Sequence, residues 1–262
     1  MSNILETIAS YTKIRIHQNK AMKSMKEIKA EAFGMDCNTG FPFEKALKTK
    51  PITFICECKK ASPSKGLIVS DFDYLGIAKE YEMAGAAAIS VLTEPKWFMG
   101  NDNYLKEIAE EVSLPCLRKD FVIDEYMIYE AKLLGAAAVL LICSILPEKI
   151  LCKYLTLCDS LGLSALVEVH NEDEVNMALR AGARVIGVNN RNLADFSVDV
   201  KNSTRLRRLI PEEVLFVAES GIRSPEDVME LNRAKVNGVL IGETLMRASD
   251  KKAMLDFLRE KI

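Results

Sequence analysis

Three copies of one short pattern recur along the chain and constrain its fold more than any other feature. In each copy a helical stretch stops at glycine, a small residue follows, and a buried strand begins: EMAGAAAISVLTE around Gly85, KLLGAAAVLLICS around Gly135 and LRAGARVIGVNNR around Gly182. NRAKVNGVLIGET is a looser fourth copy without glycine at the stop. Glycine is typical of a helix C-terminus, because it adopts the left-handed conformation there. The pattern predicts helices that lead directly into buried strands.

The spacing of these glycines predicts a further strand between consecutive copies. The glycines are 50 residues apart from 85 to 135 and 47 apart from 135 to 182, which is too long for one strand and one helix. Short apolar runs fill the intervals: ITFICEC, LPCLRK, SALVEV and VLFVAE. Eight strands are therefore predicted, at 52–58, 87–92, 115–119, 137–142, 164–169, 184–189, 214–219 and 237–241.

Helical patterns separate the strands, for example at 71–84, 124–134 and 171–181. Alternating strands and helices require parallel pairing with right-handed crossovers. Eight such units in 262 residues predict a single α/β domain with the (β/α)8 fold, the TIM barrel. A doubly wound open sheet is the structural alternative. We place the catalytic barrel at 49–262.

Residues 1–48 fall outside the eightfold plan and predict an N-terminal helical extension. Apolar side chains recur there at helical spacing: Ile4, Leu5, Ile8 and Tyr11, followed by Met22, Met25 and Ile28. We expect these helices to pack against the barrel. A more specific interpretation is that they cover either its active-site mouth or its bottom.

Composition excludes several classes of function. Basic and acidic residues number 35 and 37 and are interspersed, so nucleic acid is not an expected partner. No apolar run approaches the ~20 residues of a membrane span, and the polar first 30 residues do not resemble a signal peptide. The seven cysteines form no Cys-x-x-Cys pair and are expected to be buried, reduced thiols in the cytoplasm. His17 and His170 are the only histidines, and we expect no metal.

Charged side chains stand at the ends of alternate predicted strands. They are Glu57, Lys59, Lys119, Glu168 and Glu219. The long turns 59–70, 93–101 and 190–200 also follow strands, and 59–70 is expected to lack regular structure. In a parallel barrel all strand ends meet on one face, which carries the chemistry. The two lysines are candidate acids, and Glu168 and Glu219 are candidate bases or partners of the lysines. A structural ion-pair network is the alternative interpretation.

The remaining candidates concern binding. ESGIRSPED and LIGETLMR are the seventh and eighth strand-to-helix turns, where barrels commonly bind phosphate. Gly221 and Gly242 permit close backbone approach, whereas the Glu243 carboxylate would repel phosphate unless it turned away. TEPKWFMGN places Trp97 and Phe98 in the second turn, either as ordinary packing or as a ring-binding wall. GVNNRNL places Asn189 and Arg191 at the end of the sixth strand, where arginine can grip a carboxylate.

Five ordered segments, spanning roughly 51–247, resemble the indole-3-glycerol-phosphate synthase family. They are ECKKASPSKG, ISVLTEPKWFMGN, LRKDFVIDEYMI with AKLLGAAAVLLI, LVEVHNEDE with ALRAGARVIGVNNRNL, and VAESGIRSPEDV with GVLIGETLMR. The extension with FPFEKALK is also similar. The resemblance implies a carboxy-lyase of tryptophan biosynthesis. Its substrate would be 1-(2-carboxyphenylamino)-1-deoxyribulose 5-phosphate, and its products indole-3-glycerol phosphate, CO2 and water.

The resemblance also implies roles for individual residues. Lys119 matches the general acid, and Glu168 its counterpart base or the stabiliser of the cationic intermediate. Lys59 matches the lysine that helps expel water and bind the substrate anion, and Glu57 and Glu219 match carboxylates that orient these lysines. The remaining matches form three groups: Asn189, Arg191 and Ser62 near the anthranilate end; Phe98, Phe121 and Leu140 in its apolar wall; and Ser220, Gly221, Gly242 and Glu243 in the phosphate cradle. Many members have serine where this chain has Glu243.

Two other functions remain open from the residues alone. A Schiff-base sugar-phosphate aldolase would also use lysines beside carboxylates. A non-catalytic phosphosugar-binding barrel would use the charges only to bind. We expect no cofactor, a phosphorylated small molecule and other tryptophan-pathway enzymes as partners, and a monomer or weak oligomer.

Overall fold

The computed structural model describes residues 4–192 and 196–262, which form a closed barrel of eight parallel strands. In chain order the strands are β1 Thr53–Cys58, β2 Ala88–Leu92, β3 Cys116–Lys119, β4 Ala138–Ile142, β5 Ser164–Val169, β6 Val185–Asn189, β7 Leu215–Glu219 and β8 Gly238–Ile241. Each strand pairs with its neighbours in the chain, and β1 closes on β8. The predicted (β/α)8 barrel is confirmed and the doubly wound sheet is excluded. Every strand ends where predicted.

Helices surround the barrel and precede it. In the described residues they are α1 Ile4–Met22, α2 Met25–Gly34, α3 Pro42–Ala46, α4 Tyr74–Met83, α5 Asp102–Glu111, α6 Glu125–Leu133, α7 Glu148–Ser160, α8 Glu172–Arg180, α9 Lys201–Arg207, α10 Pro225–Arg233, α11 Glu243–Arg247 and α12 Lys251–Arg259. Helices α6 and α8 begin one residue later than predicted, because Asp124 and Asn171 are their N-caps. Each cap side chain accepts a hydrogen bond from a backbone N–H of the first turn.

The glycine stops adopt the conformation that the repeated pattern predicts. Gly85, Gly135 and Gly182 have φ between 76° and 85°. At each stop the glycine N–H and the following N–H donate to carbonyls of the last helical turn, as Gly85 and Ala86 do to Glu82 and Tyr81 at 2.9 and 3.0 Å. These two hydrogen bonds end each helix, and the chain then turns directly into the next strand.

The fourth copy makes the same turn without glycine. Lys235 occupies the position of the glycine at φ 58°, and its N–H donates to Asn232 O at 2.9 Å. Val236 N–H donates to Leu231 O at 3.1 Å, so the hydrogen bonds of the other three stops are all present. A side chain in this conformation is strained. The architecture therefore imposes the turn even where the sequence does not favour it.

The apolar residues divide into two layers. One lies between the strands and the surrounding helices, and the other fills the barrel interior with inward side chains such as Ile55, Leu117 and Leu166. The N-terminal segment contributes to the interior from both ends, with Leu5 and Ile8 of α1 on the mouth side and Phe43 and Leu47 around α3 on the bottom side. All four are nearly inaccessible to solvent. The interior is therefore a packed core that is covered at both ends by side chains from residues 4–47.

Three expectations were wrong in detail. Met22 is 80% exposed, because α1 ends there and the side chain points away from the barrel. The 59–70 turn is not wholly irregular, since Ala61–Ser62 and Gly66–Leu67 pair as a short antiparallel hairpin. Cys37 and Cys152 are only partly buried, although all seven cysteines are free thiols. Residues 193–195 of the predicted 190–200 turn lie outside the described residues.

No described helix combines the length and apolarity that crossing a membrane requires.

Replacing Lys235 with glycine should stabilise the protein. The left-handed conformation costs a non-glycine residue roughly 1–2 kcal/mol. The greater freedom of glycine in the unfolded chain offsets about 0.4–1 kcal/mol of that gain. We expect Lys235→Gly to raise the free energy of unfolding by about 0.5 kcal/mol, measured by urea denaturation.

The reciprocal control is Gly182→Ala. No atom lies within 4 Å of a Cβ added at Gly182, so its positive φ alone should make that variant less stable, by about 1 kcal/mol. A destabilised Lys235→Gly would show that the side chain of Lys235 stabilises the fold more than its backbone strains it.

Candidate active site

A cavity of about 470 Å³ opens at the ends of the strands, on the face where the chain enters the strand-to-helix turns. All fifteen residues to which the family resemblance assigns a role line it. They come from β1 and β3–β7, from the turns that follow β1, β2, β3, β6, β7 and β8, and from the first residue of α11. The barrel thus brings together positions as far apart in sequence as 57 and 243.

Lys119 lies at the centre of the charged residues in this cavity. Its Nζ is 3.1 Å from Glu168 Oε2 and 3.2 Å from Glu219 Oε2. The three side chains come from the ends of β3, β5 and β7, and the carboxylates are almost completely buried. One ammonium therefore bridges two buried carboxylates, and charges that are shielded from water interact strongly.

The environment separates the proton affinities of these groups. Burial alone would lower the pKa of Lys119, but the charges of Glu219, Glu168 and Glu57 raise it well above its ordinary value. Burial likewise disfavours the ionised form of both carboxylates. For Glu168 the charges of Lys119 and His170 and a hydrogen bond from Asn189 outweigh burial and lower the pKa. For Glu219 burial dominates and raises the pKa to about 7. Glu168 is therefore ionised at neutral pH, while Glu219 exchanges its proton there.

A second ion pair stands at the end of β1. Lys59 Nζ is 2.5 Å from Glu57 Oε1, because residues two apart along a strand project to the same side. Ser90 Oγ of β2 lies 3.4 Å from the other carboxylate oxygen. Opposite the pair, a Cβ added at Gly242 would lie 2.3 Å from Glu57 Oε1 and 2.8 Å from Lys59 Nζ. Glycine is needed there for the pair to approach the turn after β8.

Gly187 in β6 leaves space for the Glu219 carboxylate, as Gly242 does for the Glu57–Lys59 pair. Gly187 was not identified from sequence. A Cβ at this position would lie 2.2 Å from Glu219 Oε1. The glycine therefore leaves the space that the Glu219 carboxylate occupies beside Lys119. The available signal was a glycine inside a buried strand, which marks close approach of another group.

The apolar end of the cavity contains two phenylalanine rings. The ring centroids of Phe98 and Phe121 are 6.0 Å apart, and Leu140 of β4 lines the same cavity. Trp97 instead packs edge-on against Tyr11 of α1, at 5.5 Å between centroids, so ordinary packing is the correct interpretation for Trp97. Glu94, which was not identified from sequence, is fully buried and accepts hydrogen bonds from the backbone N–H groups of residues 96, 97 and 98 at 2.7–3.0 Å. Its carboxylate holds the turn that presents Phe98.

Helix α1 forms part of the cavity wall, with Ile4, Leu5 and Ile8 among the lining residues. Its position is fixed by Arg15, whose guanidinium is 2.7 Å from the buried Asp120 carboxylate, directly after Lys119. Asp120 also accepts a hydrogen bond from Thr93 Oγ1 at 2.6 Å. The apolar spacing of this helix predicted its packing face but not the role of Arg15. The anchor joins α1 to the turns that carry Lys119 and Phe98.

The end of the cavity near β7 and β8 has the features of an anion site. Ser220 and Gly221 both have positive φ, at 68° and 85°, and expose backbone at the turn after β7. Lys65, Arg223 and Arg247 also line the cavity and were not identified from sequence. The Glu243 carboxylate is turned to cations, with Oε1 3.1 Å from Arg247 Nε and 3.8 Å from Lys65 Nζ. Its charge is therefore largely compensated.

Polar residues at the end of β6 line the cavity next to β7. Asn189 Oδ1 accepts the backbone N–H of Arg191 at 3.0 Å, which fixes the turn, and Arg191 lines the cavity. Ser62, in the hairpin after β1, lines it as well. No group of three or more His, Cys, Asp or Glu side chains in 4–192 and 196–262 is arranged to hold a metal ion.

The separated proton affinities can be measured directly. In protein labelled with carboxyl-¹³C glutamate, we expect Glu219 to titrate near pH 7 and Glu168 below its ordinary range. In Lys119→Met both pKa values should rise, by about one unit or more, because the neighbouring positive charge is gone.

Lys79→Met, on the exposed surface of α4, is the control and should leave both titrations unchanged. Glu219→Gln assigns the signal. A Glu219 that titrates near 4.5 in the wild-type protein would contradict the electrostatic description of this site.

The chain was also compared with known proteins. The family model for indole-3-glycerol phosphate synthase matches residues 5–258. Proteins named indole-3-glycerol phosphate synthase from Lachnoclostridium phytofermentans and Ruminiclostridium cellulolyticum are each 55% identical, over 98% of both chains. Among solved structures, 3-hexulose-6-phosphate synthase from Salmonella typhimurium superimposes with a TM-score of 0.65 at 13% identity, covering 79% of this chain and 97% of that one, a likeness of fold alone. By family match and identity, the chain belongs to the indole-3-glycerol phosphate synthase family.

Proposed function

We propose that this enzyme of tryptophan biosynthesis acts as a carboxy-lyase on 1-(2-carboxyphenylamino)-1-deoxyribulose 5-phosphate. The reaction closes the pyrrole ring and yields indole-3-glycerol phosphate, CO2 and water. The observation that carries the proposal is the Lys119 ammonium, 3.1–3.2 Å from one carboxylate that is ionised and from another that exchanges its proton near pH 7. Two carboxylates with separated proton affinities are the arrangement that acid–base chemistry requires.

Ring closure is the first step. The ring carbon that bears the carboxylate attacks the ketone carbon, and Lys119 protonates the ketone oxygen as negative charge develops there. The attack leaves positive charge on the nitrogen-bearing ring, which the ionised Glu168 stabilises. Loss of CO2 then restores the aromatic ring. A raised pKa keeps Lys119 protonated before the reaction, and its two carboxylate partners hold the ammonium in position.

Dehydration completes the reaction. The new hydroxyl leaves as water when it receives a proton, and Lys59 is the proposed donor, with Glu57 2.5 Å away to orient it. Loss of a proton from the adjacent carbon forms the second double bond of the pyrrole ring. We assign that proton to the carboxylates beside Lys119, with Glu219 returning it to solvent or to the lysine.

The cavity matches a guest with an anion at each end. We propose that the ring lies against Phe98, Phe121 and Leu140, with its carboxylate toward Lys59, Ser62, Asn189 and Arg191. The phosphate would then bind at Ser220, Gly221, Gly242 and Glu243, through backbone N–H groups. Lys65, Arg223 and Arg247 add positive charge at that end.

The alternatives are weaker on physical grounds. An imine-forming aldolase needs an unprotonated lysine, whereas Lys119 is held as the ammonium and Lys59 lies against Glu57. A barrel that only binds phosphosugars has no need for a buried carboxylate such as Glu219, whose pKa is about 7. We also retain as proposals the division into 1–48 and 49–262, a cytoplasmic location, and a monomer or weak oligomer that works beside other enzymes of the pathway.

Replacing Lys119 tests the proposed reaction. With the carboxyphenylamino substrate, wild-type protein should generate indole fluorescence. In Lys119→Met we expect kcat to fall by about 10²–10⁴, the usual contribution of a positioned acid.

Lys79→Met should retain full activity, and borohydride should trap no covalent adduct at Lys59 or Lys119. A kcat within a few-fold of wild type would remove Lys119 from the role of acid. A trapped adduct would favour the aldolase.

Replacing Glu243 tests the phosphate end. Glu243→Ser removes a carboxylate and frees Arg247 and Lys65 to meet the substrate. We expect KM, and the inhibition constant of inorganic phosphate, to fall by roughly threefold to tenfold with kcat unchanged.

The matched control is Glu172→Ser, because Glu172 is also the first residue of its helix and pairs with an arginine, Arg205, at 3.3 Å on the surface. Its KM should not change. A higher KM in Glu243→Ser would show that this carboxylate supports the cradle.

A further inference from the structure

His170 lies between two carboxylates and lines a polar cavity next to the active-site cavity. Its Nε2 is 3.4 Å from Glu168 Oε1, and its Nδ1 is 3.1 Å from Glu174 Oε2. The side chain is only 17% exposed. Glu168 Oε1 is the oxygen that faces away from Lys119, whose Nζ contacts Oε2. The imidazole and the ammonium therefore hold the same carboxylate from opposite sides.

The position of the ring is fixed independently of Glu168. Glu174 Oε2 accepts the backbone N–H of His170 at 2.8 Å as well as contacting Nδ1. Asn202 of α9 donates to the His170 carbonyl at 3.2 Å. A carboxylate on Nδ1 requires the proton on that nitrogen, which leaves Nε2 directed at Glu168. The 3.4 Å separation exceeds a good hydrogen bond, and Nε2 has no hydrogen-bond partner among the described residues.

The surroundings favour the charged ring. Burial alone would lower the pKa of His170, but the hydrogen bond to Glu174 and the charges of Glu168, Glu174 and Glu219 raise it above its ordinary value. Lys119 lies beyond Glu168, and Arg191, Asp199 and Arg205 share with His170 a neighbouring polar cavity. Three carboxylates on β5, β7 and α8 thus dominate the field at the imidazole.

We propose that His170 is a positioning residue, whose charged imidazole holds the Glu168 carboxylate ionised and turned toward Lys119 during the reaction. The inference rests on the proposed function, because it requires that the ionised Glu168 carboxylate takes part in the reaction. The sequence signal was the spacing of His170 two residues beyond Glu168, which places both on the same side of the chain. The ring acts through Glu168 and does not contact the reacting atoms.

The test compares the pH dependence of kcat in wild type and His170→Gln. Without the positive ring the pKa of Glu168 should rise by about one unit, so the acidic limb of the kcat profile should move up by about one pH unit. On that limb kcat falls about tenfold while KM stays within twofold. Above the pKa of His170 the two profiles should converge, because the wild-type ring is neutral there. A merely structural role would instead lower kcat equally at every pH.

Two further variants sharpen the comparison. His17→Gln changes the other histidine, exposed on α1, and should reproduce the wild-type profile. Glu174→Gln keeps an oxygen for the backbone N–H but removes the charge that stabilises the imidazolium. It should shift the acidic limb in the same direction as His170→Gln, by less.

The outcomes separate this inference from the proposed function. A wild-type protein that forms no indole product overturns the proposed function. The inference is then decided by carboxyl-¹³C titration, in which His170→Gln should raise the pKa of Glu168 by about one unit. If wild type is active but the His170→Gln profile superimposes on it, or is lowered uniformly, the positioning role is wrong. An unchanged Glu168 titration overturns it as well.

Discussion

The contact between the Lys119 ammonium and the two carboxylates of Glu168 and Glu219 is the interaction on which the site depends. Each of these charges would be costly to bury alone, and together they are tolerated because every one has an opposite partner. The arrangement is also asymmetric, since additional partners stabilise the charge of Glu168 while burial dominates at Glu219. A barrel interior filled with aliphatic side chains supplies the low polarity that makes this asymmetry possible.

Two glycines leave the space that the charged side chains of the site occupy. Gly187 and Gly242 lie where a methyl group would collide with Glu219 and with the Glu57–Lys59 pair. Both glycines belong to strands or turns that hold their positions through the barrel, so the space persists without a ligand. The site is therefore prepared for its guest in advance, and little rearrangement of charge is needed when the reaction begins.

The sequence predicted the features that depend on local pattern. Strand ends, glycine stops and the charged residues at the C-terminal face follow from periodicity and from the common orientation of parallel strands, and the closed barrel has them in those places. The roles of Arg15, Glu94 and His170 did not follow, because each depends on distances that only folding sets. Arg15 meets a partner 105 positions away. Met22 was misjudged because helical spacing does not show where a helix ends.

Helix α1 is a wall of the cavity, yet it precedes every barrel strand in the chain. Its anchor, Asp120, follows Arg15 by 105 residues, and Gly242 of the turn after β8, which also lines the cavity, follows more than a hundred residues after that. Helix α1 therefore cannot make its contacts with the barrel until the strands and turns that provide them have been synthesised. Without α1 the central ion pairs would keep their partners, but the cavity that holds them would be open to water on that side.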